Sequence, residues 1–338
     1  MPIQAIADIP PLLATSVVRG SEQGQSHGGV YLVDPRAQAV HQLLDWDRAD
    51  IDWTGRGWDR GLRGIAFDGD TVYIAASDEL FAYDREFRRT GSWRNPYLKH
   101  CHEIAVHRGV LYLTSTGFDS ILAFDLARQH FTWGLYVARA DGTWHGHRFD
   151  PAAADGPAAG NRLHINNVAV DDSGLSFSGL RTHGIVTLGA EARLHQQVEL
   201  PAGVHNARLF RDGVLFNDTN ADCLRFVSRS GDERHFRYPV YADEELEWTG
   251  VDDSNVARQG FGRGLCAIDE RLVAAGSSPS TVSVFDIDSG TRVFSVNFSM
   301  DVRNAIHGLE VWPWPLPGRV AQSAEAASAS TTDSGSAS

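Results

Sequence analysis

Three histidines of the 338-residue chain, His102, His205 and His307, lie 103 and 102 residues apart, each two residues ahead of a short apolar run. Midway between them the same offset holds Arg63, Asn166 and Arg263, ahead of Ile65, Val168 and Leu265. Three neutral imidazoles brought to one point form an open ligand set for a divalent transition metal, leaving positions for water or substrate. Zinc suits this set best, with iron or copper as alternatives. Two guanidinium groups beside such an ion are costly unless an anion joins them, and a guanidinium fork fits a carboxylate. Arg63 and Arg263 are therefore candidates to anchor a small anionic substrate, the alternative being structural ion pairs to Glu103, Asp252 or Asp253. Asn166 is a candidate substrate partner or weak ligand. His164 is a candidate fourth ligand or acid/base group, and Tyr238 or Tyr241 a candidate general base. Glu103, Asn167, Asn206 and Glu310 flank the six positions and are expected to orient the imidazoles from behind. The alternative for the whole set is a polar, water-filled channel with no metal.

These spacings mean something only if the backbone repeats, and it does. From about residue 60, stretches of roughly 40–60 residues each open with a short apolar strand, turn at Gly or Asp, return, and often end a third strand in Asp. The openings are Gly64–Phe67, Glu103–Val106, Asn167–Val170, Asn206–Leu209, Gly264–Ala267 and Gly308–Val311. Third strands read Leu80–Asp84, Ile121–Asp125 and Val282–Asp286. Helical periodicity is almost absent, and the segments are β-branched and aromatic. This pattern predicts an all-β, six-bladed β-propeller. The opening at Gly308 has no second strand, because Pro313, Pro315 and Pro317 prevent regular pairing. Ala14–Val18, Val30–Asp34 and Val40–Trp46 read as three strands lacking an inner one, so the C-terminal strand is expected to complete the first blade and close the ring. Alternate blades of six are related by about 120°, which would bring the three histidines to the axis. Residues 1–318 read as one domain and the Ala/Ser/Thr-rich 319–338 as a disordered tail. Insertions at 45–62, 134–163 and 238–262 precede inner strands and are expected to form an aromatic rim or lid. The second carries His145-Gly146-His147, a short metal-binding-like motif or a plain surface loop.

Composition narrows the function classes. The formal charge of −13, from 43 Asp+Glu against 30 Lys+Arg, argues against a phosphate-backbone partner, so no nucleic acid is expected. Cys101, Cys223 and Cys266, an odd number at unrelated positions, make neither a disulfide framework nor a zinc knuckle. No apolar run of about 18 residues is present and the N-terminus lacks a secretory pattern. The expectation is an acidic, soluble, cytoplasmic protein with no membrane partner, and a closed ring is expected to be monomeric.

Asn166-Asn167-Val168-Ala169 and His307-Gly308-Leu309-Glu310-Val311-Trp312 look like inner-strand openings of the SMP-30/gluconolactonase family and of NHL-type propellers. That family places metal ligands at this pre-strand position but uses Glu, Asn and Asp; only Asn166 agrees in type. By order, Arg63, His102, His205, Arg263 and His307 resemble the channel set of the peptidylglycine α-amidating lyase domain, a six-bladed propeller with zinc on three histidines. Asn166 stands where that family's tyrosine is expected. The resemblance covers residues 10–315 in architecture and about five residues in chemistry. It implies a metal-dependent lyase or hydrolase acting on a carboxylate-bearing substrate. The alternatives are a non-haem iron or copper oxygenase on the same histidines, or a non-catalytic propeller binding a ligand or protein on its loop face.

Overall fold

The computed structural model describes residues 8–48, 61–189, 193–248 and 258–318, together with Ile6 and Val320. Six antiparallel sheets form the six blades of a β-propeller, as the repeat predicts. Their inner strands are Asn304–Val311, Ile65–Asp68, Ile104–His107, Ile165–Asp171, Val204–Phe210 and Gly262–Ala267 for blades one to six. Blade one is the composite blade: Asn304–Val311 pairs antiparallel with Leu12–Val18, followed by Gly29–Asp34 and Ala39–Asp45.

Each blade packs both faces, one against each neighbour. Ile65, Ile74 and Phe81 of blade two face the core shared with blade one, while Ala66, Tyr73, Leu80 and Ala82 face blade three. The five other interfaces hold equivalent apolar clusters. Burial on both faces is why strands such as Leu80–Tyr83 read as unbroken apolar runs rather than alternating ones.

The recurrent Asp closing a third strand caps the next turn. Asp34, Asp84, Asp125 and Asp286 each accept backbone N–H groups two to four residues ahead, which satisfies donors that a tight turn would otherwise orphan. In blade five the hydroxyl of Ser228 does this for Asp232.

Two expectations about the insertions change. Residues 134–149 are not a loop over the channel. His130–Ala140 and Thr143–Phe149 form a hairpin that gives blade three a fifth, outermost strand. Trp144 packs on Phe177 of blade four, so the aromatic content belongs to an inter-blade contact. His145 and His147 lie on the exposed side of that edge strand, away from the axis. Parts of the other two insertions, residues 49–60 and 249–257, lie outside the described residues, as do Asp252, Asp253 and the 321–338 tail. Among the described residues no helix is long and apolar enough to cross a membrane, and the three cysteines are buried and unbridged.

Candidate functional site

All six equivalent positions lie in the interior, none more than 7 % exposed: Arg63, His102, Asn166, His205, Arg263 and His307. The inner strands are locally irregular there. Register shifts fall beside Asn166, His205 and Arg263, and opposite His307–Gly308, so each strand bends as it meets the axis. Close approach also sets the residue that follows. A Cβ on Gly308 would sit 2.2 Å from the Arg63 carbonyl oxygen, and one on Gly64 would sit 2.7 Å from the Ile104 nitrogen. Thr15 stitches this seam, donating to the Arg63 carbonyl (2.6 Å) and accepting from the Gly308 N–H (2.8 Å).

The imidazoles do gather. His102 lies 5.3 Å from His307 and 6.4 Å from His205, ring centre to ring centre, and 5.1 Å from His164. His164 and His205 are 6.3 Å apart. Nδ1 of His102 contacts the His100 carbonyl oxygen at 2.7 Å and Thr116 Oγ1 at 2.9 Å. A carbonyl only accepts, so Nδ1 carries the proton and Nε2 keeps its lone pair. Nη1 of Arg63 is nearly equidistant from both ring nitrogens, 3.3 and 3.4 Å, which places it over the imidazole face rather than along that lone pair. Burial, then the charge of Arg63 and the neighbouring imidazoles, holds the pKa of His102 well below the usual histidine value. His307 is depressed likewise, by burial and then by Arg63, His102, Arg19 and His205. Both rings are neutral at physiological pH, the form that ligates metal.

Nε2 of His307 and Oδ1 of Asn166 are buried with no hydrogen-bond partner among the described residues. Orphaned acceptors and donors of this kind are costly, of order 1–3 kcal/mol each, unless something binds to them. Nδ2 of Asn166 is engaged by the Val204 carbonyl (3.0 Å), which fixes the direction of the free oxygen. The chemistry of this donor set suits a transition ion. The spacing suits it at His102 and His307, since two imidazoles sharing a tetrahedral ion at about 2.1 Å put their ring centres roughly 5 Å apart. His205 stands roughly 1 Å wide of that. Among the described residues no three of His, Cys, Asp or Glu converge closely enough to close a ligand set as they stand.

His164 enters from a segment that one side chain organises. The buried carboxylate of Asp119 accepts the backbone N–H groups of Arg162 (2.6 Å), Leu163 (3.0 Å) and His164 (3.1 Å). That clamp holds His164 at a φ of 53°, and its Nδ1 meets Asn161 Oδ1 at 3.0 Å. Asp119 carries no distinguishing pattern in the sequence; its only signal is an Asp in a turn ahead of a strand.

Arg263 lies over the ring of Phe261 (4.5 Å), which in turn packs on His205 (5.6 Å). Its Nε and Nη1 are buried without a hydrogen-bond partner, and it makes no ion pair among the described residues. Arg258 shares the Phe261 ring at 5.0 Å but is paired with Asp222 at 2.5 Å.

Two expected roles are not supported by position. Tyr238 does not reach the mouth: it packs among Phe236 and Phe285 between blades five and six and donates its hydroxyl to Asn217 Oδ1 at 2.5 Å. Burial pushes its pKa well above the usual phenol value, so it is a poor base. Tyr241 contacts Thr281 Oγ1 instead. Nor do the flanking polar residues orient the imidazoles. Asn206 donates to Glu103 Oε2 (2.8 Å) and Asn167 to the Ala207 carbonyl (2.6 Å), so they tie one blade to another.

No protein-family model and no curated protein matches the chain. Among solved structures it is similar to a protein of unknown function from Bacteroides caccae, with a TM-score of 0.53 and 10% identity over 89% of this chain and 98% of that one. It is also similar to a protein from Lactobacillus plantarum (TM-score 0.46, 13% identity, 86% and 82% covered). A third is a catalytically inactive virginiamycin B lyase from Staphylococcus aureus with quinupristin (TM-score 0.38, 12% identity, 70% and 73% covered). At such identities the likeness shows the propeller fold alone.

Proposed function

We propose that the ringed mouth is the active site of a metal-dependent lyase or hydrolase acting on a small carboxylate-bearing substrate. The observation that carries this reading is the convergence of buried, neutral imidazoles from alternate blades, with Nε2 of His307 without a hydrogen-bond partner among the described residues and Nε2 of His102 met by Arg63 over its ring face. His102, His205 and His307 would hold one divalent ion, zinc by the chemistry of the set, with His164 at its edge. Bound there, such an ion supplies Lewis acidity to a substrate oxygen or to water. The protein's own groups do the rest. Arg263 and Arg63 receive the carboxylate, Asn166 Oδ1 accepts a substrate hydroxyl or amide proton, and His164 moves a proton at the rim.

A second reading is a channel that binds its anion with no metal and no chemistry. It is favoured by the 6.4 Å between His102 and His205. Elemental analysis of the purified full chain separates the two. The metal reading expects about one transition ion per chain, and at least a threefold loss in His205→Ala with the fold intact by circular dichroism. Metal below about 0.3 per chain, unchanged in His205→Ala, would overturn it.

A further inference from the structure

One position after the ring comes Glu103, and three positions after it come Ala66, Ala105, Ala169, Arg208, Cys266 and Glu310. Three strand residues advance about 10 Å, so this second tier lies well down the channel from the histidines. Small side chains on four of its six positions leave a cavity of about 420 Å3, walled by Ala66, Ala105, Val168 and Ala169 and carrying Glu103, Arg208 and Glu310, with Asp171, tied to Ser173, also lining it. A ligand-sized cavity with apolar walls and a few convergent polar groups is the usual form of a small-molecule site.

The polar groups are poised rather than spent. Arg208 Nη2 stands 3.9 Å from Glu310 Oε1, beyond hydrogen-bond length, and neither side chain makes a hydrogen bond to any described residue. Glu103 is held in place by Asn206 (2.8 Å). Both side chains are about one-third exposed, and a fully formed guanidinium–carboxylate contact would be bidentate. Here the gap leaves the donors of Arg208 and the acceptors of Glu310 open to the cavity. Burial raises the pKa of Glu310 to about 7 and of Glu103 to about 8, so an arriving ammonium must displace a proton from this pair.

We infer that this second-tier cavity binds a small zwitterion of the α-amino-acid kind, its carboxylate on Arg208 and its ammonium on Glu310 and Glu103. A purely cationic ligand would compete with Arg208 for Glu310, and a purely anionic one would face the carboxyls of Glu103 and Glu310. Only a molecule with both charges a few ångströms apart completes the set, and the alanine and valine walls suit a short aliphatic side chain.

Calorimetric titration of the full chain tests this with L-alanine, sodium acetate, methylammonium chloride and calcium chloride. L-alanine is expected to bind more tightly than either single-charge probe, and Arg208→Gln and Glu310→Gln are each expected to weaken it at least tenfold with an unchanged circular dichroism spectrum. Arg208→Lys, which keeps the charge but loses the fork, is a further variant if Gln disturbs folding, and is expected to weaken L-alanine by a smaller factor. His205→Ala is expected to leave this binding untouched, so the outcome is independent of the metal reading. No binding of L-alanine at about 10 mM, affinity equal in all Arg208 and Glu310 variants, or calcium as the ligand these variants abolish would each overturn it.

Discussion

Arg263 is a ring member with unmet capacity: a buried guanidinium on an aromatic face, with Nε and Nη1 lacking hydrogen-bond partners and no carboxylate paired with it among the described residues. A buried charge without a counter-ion costs several kcal/mol, and a bound carboxylate recovers that cost. Arg263→Ala is therefore expected to weaken binding of small carboxylates, acetate and pyruvate among the probes, by tenfold or more. The melting temperature should hold or rise and metal content should be unchanged. Loss of metal together with loss of fold would instead make the residue structural. The six ring residues were legible in the sequence because blade period carries long-range information: equivalent positions recur where the backbone must return to the axis. Asp119, Thr116 and His100 were not, because each acts through one backbone or hydroxyl contact that no spacing announces. Tyr238 misled for the opposite reason. An aromatic residue at the start of an insertion has the composition of a pocket wall, but burial between two blades used its ring as core and its hydroxyl on Asn217.

Among the elements, the turn after each third strand shows how one polar residue fixes a hairpin. Asp286 accepts the N–H groups of Asp288 (2.9 Å) and Ser289 (3.1 Å) and pairs with Arg271, which together lower its pKa to about 2. The folded value lies below the unfolded one, so the carboxylate stabilises the fold above about pH 4, and that contribution fades as pH falls through 2. Asp286→Asn is expected to lower the melting temperature by a few degrees at pH 7. The difference from the parent should narrow steadily between pH 4 and pH 2. A gap that stays constant over that range would show that shape rather than charge matters at this turn. The same class of residue explains why strand ends were readable: Asp and Gly mark turns for stated steric and hydrogen-bonding reasons. The blade-three hairpin escaped because Asp141-Gly142 is a turn signal inside what looked like an insertion. Its outer strand, exposed on one side, has too few apolar residues to stand out.

Across the whole molecule, stability rests on closing the ring. Asn304–Val311 pairs along Leu12–Val18, and Thr15 links that strand to blade two through the Arg63 carbonyl. Beyond it, Trp312 packs with Phe67, Phe87 and Trp314 and donates to the Pro315 carbonyl, and Val320 reaches the same core. A chain ending at residue 303 would expose the Leu12–Val18 edge, every residue of which is buried in the closed ring, and a free apolar edge invites pairing with other copies. It would also open both interfaces of blade one, each holding a dozen or so apolar residues worth roughly 1.5–3 kcal/mol apiece when fully buried. Ending the chain at 303 is therefore expected to abolish the cooperative melting transition and shift the protein to aggregates on size exclusion. Ending it at 320 removes a stretch with no apolar period and should leave the transition within about 1–2 °C. His307→Ala in the full chain separates the two consequences of losing this strand: it removes one imidazole from the axis but keeps the closure, so it should melt close to the parent while losing metal. A monomeric 1–303 protein with a parent-like transition would show that five blades and a three-stranded sixth suffice, and that the last strand serves the site rather than the fold.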